Sequence, residues 1–290
     1  MSLLPQLLDI LDLKEIEEGV FEGQSLDIGS LSVYGGQVVA QAIVAMNRTI
    51  DPERRLHSLH AYFLRRGKIG DPIHYHVEAT RDGRSFSVRR VKAQQNDKVI
   101  FIVGASFHIE EEGFEHQMNM PNVTRAEDLN SFSTFFEQFA DQFDIKARGL
   151  YSDNSPIIFH PVEVFNPFKP GIRPPYSHIW FKANGELTGS QALQQSVVAY
   201  ASDFNLLITS FLPHNVSLFS TPMQLASLDH SMWFHKPLKA DEWMLYVVHS
   251  PNAGGARGFC TGRIFSKEGD LLVSVTQEGL IRLKGEKKAI

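Results

Sequence analysis

The segment LLVSVTQEGLIRL, from Leu271 to Leu283, alternates with period two, as a half-buried strand does. Leu271, Val273, Val275, Gly279 and Ile281 share one face, and Gln277 interrupts that apolar row. A different pattern marks YGGQVVAQAIVAMN. It opens with Gly35 and Gly36 and then places Val38, Ala42 and Ala45 at helical spacing, with Val39 and Met46 widening the stripe. Apolar residues surround that helix almost completely, so it is expected to be buried on several sides. A strand is expected near Ile16 to Ser25 before it, and four strands after it, at about 55–65, 73–81, 84–95 and 98–109. The later strands are separated by the turn signals RDG and QND. In the second half the pattern predicts strands within 156–184, a helix at about 190–208, then strands at about 223–234, 242–250, 256–266 and 270–282.

The two halves match in order. VIFIVGASFHI and LLVSVTQEGLI correspond at an offset of 172, and SFSVRRV and GFCTGRI at 173. HSLHAYF and ASLDHSM correspond at 169, and VVAQA and VVAYA at 159. A drifting offset means insertions in loops, and the preserved order points to a duplicated unit. One apolar helix followed by four strands, occurring twice, suggests an α+β fold in which each sheet wraps a buried helix. Two such sheets side by side would close one another's edges. The expected division is 1–112 for the first unit, 113–155 for a connector carrying one helix around STFFEQFADQF, and 156–290 for the second. FNPFKPGIRPPYSH is Pro-dense and reads as loop.

Composition narrows the class. Of 290 residues, 43% are apolar and 21% charged, enough for a sizeable core. The net charge is −5 and no long Lys/Arg block occurs, so a nucleic-acid partner is not expected. The single cysteine, Cys260, excludes an internal disulfide and suits a reducing compartment. No apolar run is long enough to insert in a membrane, and the Leu-rich N-terminus is acidic, reading as a short amphipathic helix rather than a signal peptide. A cytoplasmic protein is expected. GxSxG, GxxxxGK[ST] and CxxC patterns are missing, which removes support for a serine elbow or a phosphate loop. The pairs His74/His76 and His230/His235 lack metal-site spacing and read as structural or surface residues. Cys260 reads as packing. No metal or cofactor is expected.

Chemistry shows where the halves differ. At offset 172, Gln277 stands where the first half has Ala105; at offset 159, Asp203 stands where it has Val44. Burying an unpaired amide costs ~1–3 kcal/mol, and a carboxylate costs more. Two such exchanges in one half suggest joint use. Two plainer readings stand beside this one: Asp203 on a solvated helix stripe, and Gln277 satisfying a backbone group near a strand end.

VYGGQVVAQA, HSLHAYFLRRG, RDGRSFSVRRVKAQQNDKVIF, ASFH, FEHQ, ASDFN, LDHSMWFH and TQEGLIR together resemble the type II acyl-CoA thioesterases, the TesB-like family, over about residues 5 to 283. The resemblance implies a double hotdog, two helix-in-sheet units with their sheets joined. It also implies a hydrolytic set of Asp203, Ser227 and Gln277, acting on medium- to long-chain acyl-CoA. Ser227 draws no attention by itself, because its repeat partner Ser58 is also serine. With that resemblance, Gly35 and Gly36 at a helix start become candidate oxyanion donors. Arg65, Arg66 and Lys68 become candidates for the CoA phosphates, with a solvated basic loop as the equal alternative. A homodimer or homotetramer is expected by analogy. Two rival functions remain: a hotdog hydratase or dehydratase, although Leu207 and Ile208 follow ASDFN where a His would be wanted, and a non-catalytic acyl-CoA-binding module.

Overall fold

The computed structural model describes residues 3–137, 152–166, 168–169, 171–217 and 221–284. Helix α1 (Leu4–Leu11) is the expected amphipathic segment and buries Leu4, Leu7 and Leu11. Strands β1 (Lys14–Glu17) and β2 (Val20–Gly23) follow. The single strand expected near 16–25 is thus a hairpin, because the chain reverses at Gly19, whose φ of 71° suits glycine. Helix α2 (Gly35–Asn47) precedes β3 (Arg55–Phe63), β4 (Ile73–Asp82), β5 (Phe86–Gln95) and β6 (Lys98–His108). These match the expected four strands to within a few residues.

The segment between the units holds a 3-10 turn (Ala126–Asp128) and α3 (Phe132–Glu137). The rest of the expected connector helix, from 138 on, lies outside the described residues. The second unit comprises β7 (Ile157–Pro161), β8 (Tyr176–Ala183), α4 (Gln191–Ser202), a 3-10 segment (Leu207–His214), β9 (Met223–Ser227), β10 (Asp229–Phe234), β11 (Met244–Gly254), β12 (Arg257–Ser266) and β13 (Leu271–Leu283).

The thirteen strands among the described residues form one antiparallel sheet in the order β1-β2-β4-β5-β6-β3-β10-β13-β12-β11-β8-β7, with β9 also on β13. The seam is β3 against β10, with Ala61 opposite His230 and His60 opposite Ser231. Each unit therefore covers an edge that the other would otherwise expose. Helix α2 is buried from Gly36 to Met46 except at Val44, and α4 from Gln194 to Ser202. A helix apolar on all sides belongs inside, and here the sheet and the other helix cover it. The N-terminus of α2 meets the C-terminus of α4: Tyr34 Oη donates to Tyr200 O (2.8 Å) and its ring packs edge-on against that of Tyr200. At their other ends, Val44 and Asn47 of α2 share a groove with Gln191 and Gln195 of α4. The helices are antiparallel. Ser190 caps α4 by accepting from Leu193 N (3.3 Å), an interaction typically worth ~1 kcal/mol.

Candidate active site

Helix α4 ends earlier than its apolar pattern predicts. The pattern runs on through Leu206, Leu207 and Ile208, but the last helical residue is Ser202 and Asp203 is the C-cap. Asn205 adopts a left-handed φ of 60°, a conformation that terminates helices. Asp203 is therefore not the helix-interior residue expected from periodicity. A carboxylate at a helix C-terminus is electrostatically unfavourable by ~0.3–1 kcal/mol. The N-terminus of α2 compensates: Gly36 N donates to Asp203 Oδ2 at 3.0 Å. Gly36 was expected near a substrate oxyanion, and its N–H instead serves the carboxylate. Gly35 is required beside it, since a Cβ there would lie 2.7 Å from Asp203 Oδ2.

Gln277 projects inward from the middle of β13 and is fully buried. Its Nε2 donates to Asp203 Oδ1 (2.8 Å) and to Ser227 Oγ (2.5 Å). A carboxylate only accepts, so the amide must present its N–H side to Asp203. Ser227 Oγ in turn lies 3.4 Å from Asp203 Oδ1, as donor. The structure thus brings the three residues implied by resemblance into one hydrogen-bonded cluster, from a helix end and two strands.

A bulge aims Ser227. The expected strand 223–234 is two strands, with the break at Leu228. Ser227 lies opposite Gly279, whereas Ser231 lies opposite Thr276. Continuing the second register by one residue places His230 opposite Gln277. Three residue steps on one side then face two on the other, which is the count of a β-bulge. Strict alternation would send Ser227 and His230 to opposite faces; the extra residue turns both inward. Leu228 N donates to Glu278 O and Phe63 N to Leu228 O, both at 2.9 Å, so the bulged backbone remains paired.

His230 is the residue that sequence reasoning missed. It is fully buried, and its Nε2 lies 2.9 Å from Ser202 Oγ. Burial holds its proton affinity below the ordinary histidine value, opposed by the Asp203 carboxylate, the Gln277 amide and the Asp229 carboxylate. His230 Nδ1 and Gln277 Oε1 are both buried and make no hydrogen bond among the described residues. The signal that would have found it is the same repeat comparison: at offset 169, His230 stands where the first half has Ala61.

A cavity of about 450 Å³ opens beside the cluster. Asp203, Ser227, Gly35, Arg65 and Arg66 line it together with Val38, Phe63, Ile100, Phe101, Leu207 and Leu225. Arg65 Nη1 donates to Val99 O (2.6 Å), while Lys68 pairs with Asp71 (3.1 Å) away from the cavity lining. Of the other paired histidines, His74 contacts Glu22 (3.2 Å), His235 contacts Ser274 (2.9 Å), and His76 is exposed. Among the described residues no group of three or more His, Cys, Asp or Glu is placed to hold a metal. Cys260 is buried opposite Gln277 on β12, and burial pushes its thiol up to about 11.

Comparison with known proteins defines the class. A family profile described as acyl-CoA thioesterase matches residues 147–280, and one described as acyl-CoA thioesterase N-terminal domain matches 24–108. The chain is 40% identical to acyl-CoA thioesterase 2 of Haemophilus influenzae, over 97% of this chain and 98% of that protein. The crystal structure of an acyl-CoA thioesterase II, TesB2, from Mycobacterium marinum matches with a TM-score of 0.78 at 36% identity, over 96% of this chain and 99% of that one. A protein with a hot dog fold from Alicyclobacillus acidocaldarius matches with a TM-score of 0.76 at 18% identity, over 96% and 98% of the two chains, and so shares the fold. The fold is a double hotdog. The chain belongs to the acyl-CoA thioesterase family.

Proposed function

We propose that this enzyme hydrolyses medium- to long-chain acyl-CoA to a free fatty acid and CoA, using a water activated by Asp203 and oriented with the help of Ser227 and Gln277. One observation carries the reading: a carboxylate oxygen that accepts from both Gln277 and Ser227 at the wall of an apolar cavity. An ionised carboxylate offers about four acceptor sites. Gly36, Gln277 and Ser227 use three, which leaves one for a water. Asp203 takes a proton from that water as its oxygen bonds to the thioester carbon. The tetrahedral intermediate collapses by breaking the C–S bond, and the thiolate leaves and takes up a proton. Both amide protons of Gln277 are engaged, so its part is to hold Asp203 and Ser227 in place. The Ser227 oxygen accepts from Gln277, but its hydroxyl proton reaches Asp203 Oδ1 only at 3.4 Å and is free to turn toward the water.

The apolar lining supports an acyl chain of some length, and Arg65 and Arg66 at the same cavity support contact with CoA phosphates. The cytoplasm and a homodimer or homotetramer belong to the same reading; the exposed Tyr62 and Phe86 on the sheet are suited to a subunit contact. Sedimentation is expected to give two or four copies, and a monomer at micromolar concentration would contradict that part.

Thiol release measured over a series of acyl-CoA chain lengths tests the function. Turnover is expected to rise from short to medium or long chains. Hydration of an enoyl-CoA double bond without thiol release would favour the hydratase, and binding without chemistry the acyl-CoA-binding module.

A further inference from the structure

The Gln277 amide has two sides, and only one is accounted for by Asp203 and Ser227. Its Oε1 is buried and unpaired among the described residues, as is Nδ1 of His230, a residue whose proton affinity the Gln277 side chain raises. Continuing the β10–β13 register one residue beyond Ser231–Thr276 sets these two residues across from one another, at the spacing where cross-strand side chains meet. Beyond the imidazole lies Ser202 Oγ, 2.9 Å from both His230 Nε2 and Ala199 O.

One hydroxyl proton must serve one of those two acceptors. If it goes to Ala199 O, Nε2 carries the ring proton, and the bare lone pair of Nδ1 faces the lone pairs of Oε1. If it goes to Nε2, Nδ1 carries the proton and points at Oε1. The second arrangement satisfies two buried side-chain atoms for one relinquished contact to a carbonyl. Burial disfavours the imidazolium, so a single ring proton has to be placed.

We propose that His230 is a positioning residue for the hydrolytic site: its Nδ1–H donates to Gln277 Oε1 and fixes the amide that holds Asp203 and Ser227. The chain of bonds then runs from Ser202 through His230 and Gln277 to Asp203. His230 touches neither substrate nor water; it acts through Gln277. The first half, which has Ala61 at this place, also has Ala105 in place of the glutamine, so the two exchanges accompany one another. A buried glutamine of the first half illustrates the requirement. Gln41 accepts from Tyr75 Oη (2.6 Å) at Oε1 and donates to Ile10 O (2.6 Å) and Gln24 O (2.8 Å), so both ends of its amide are fixed.

The inference rests on the proposed role of the Asp203 cluster, and a double-mutant cycle separates the two. His230→Ala is expected to lower kcat about 10- to 100-fold, the scale of a misplaced catalytic group, with KM changed less than about twofold. His230→Met fills the volume without a donor and serves if the alanine variant does not fold; the same loss is expected. His230→Asn retains a donor near the Nδ1 position and is expected to keep most of the activity. In a Gln277→Ala background, removing the imidazole is expected to cost nothing further. An additive loss in that background, or an asparagine variant as impaired as the methionine one, would overturn the role of His230. Unimpaired turnover by Asp203→Asn would instead remove the cluster reading itself.

Discussion

Gln277 commits both of its N–H groups to neighbouring side chains, and this decides what a substitution there does. Gln277→Ala removes the side chain that ties Ser227 to Asp203 through short contacts. A loss of kcat of roughly 10²-fold is expected, the scale of a positioned acid–base group. Ser227→Thr keeps the hydroxyl and is expected to stay within about tenfold of the parent, whereas Ser227→Ala is expected to fall below it; steady-state thiol release measures each. Legibility differed among these residues for a physical reason. A polar side chain in an apolar strand row breaks a period, and Ala105 in the other half made the break visible. His230 broke the repeat in the same way against Ala61, but testing it by metal spacing hid that. Ser227 broke nothing, because Ser58 is its counterpart, and only the resemblance pointed to it.

At the scale of elements, the site depends on where α2 starts and α4 stops. Gly36 brings the backbones together: a Cβ there would lie 2.5 Å from Tyr200 O and 2.6 Å from the Tyr34 ring. Gly36→Ala is expected to push the helix ends apart, lower stability by ~1–3 kcal/mol and reduce activity, as read by denaturant unfolding and thiol release on the same preparation. Unchanged stability would show that the ends are free to separate. Elements themselves were largely legible, since a period of two or 3.6 sustained over ten residues marks strands and helices. Their ends were not. The apolar pattern of α4 continues past its stop at Ser202, because Leu206 packs in the core whatever the backbone does. The bulge at Leu228 changes pairing by one residue and leaves no mark in the alternation of either strand.

At the scale of the whole molecule, duplication creates two pseudo-equivalent ends of the antiparallel helix pair. One end carries Asp203, Ser227 and Gln277; the other has Val44, Ser58 and Ala105 at the matching offsets. There, Gln195 donates to Leu56 O (2.9 Å) rather than to a carboxylate. The candidate site is also shared between halves, since the N–H on Asp203 comes from Gly36 of α2. Three histidines, one buried and two partly covered, set a second whole-molecule property. Burial lowers the proton affinity of His57, His230 and His235. The unfolded chain therefore binds more protons than the folded one below about pH 6.5, and stability rises with pH through that range. The melting temperature is expected to fall between about pH 7.5 and about pH 5.5, a window above the titration of ordinary carboxylates. A rise would contradict the sign.

The proposed mechanism stands on Asp203 as the base. Asp203→Asn keeps the size of the side chain and an oxygen able to accept from Gly36, but offers no carboxylate to take the proton. Measured by thiol release with a medium- or long-chain acyl-CoA, alongside thermal unfolding, the variant is expected to fold as the parent does. Its kcat should fall by about 10²- to 10⁴-fold. Turnover at the parent's rate in that folded variant would contradict the role of Asp203 as base.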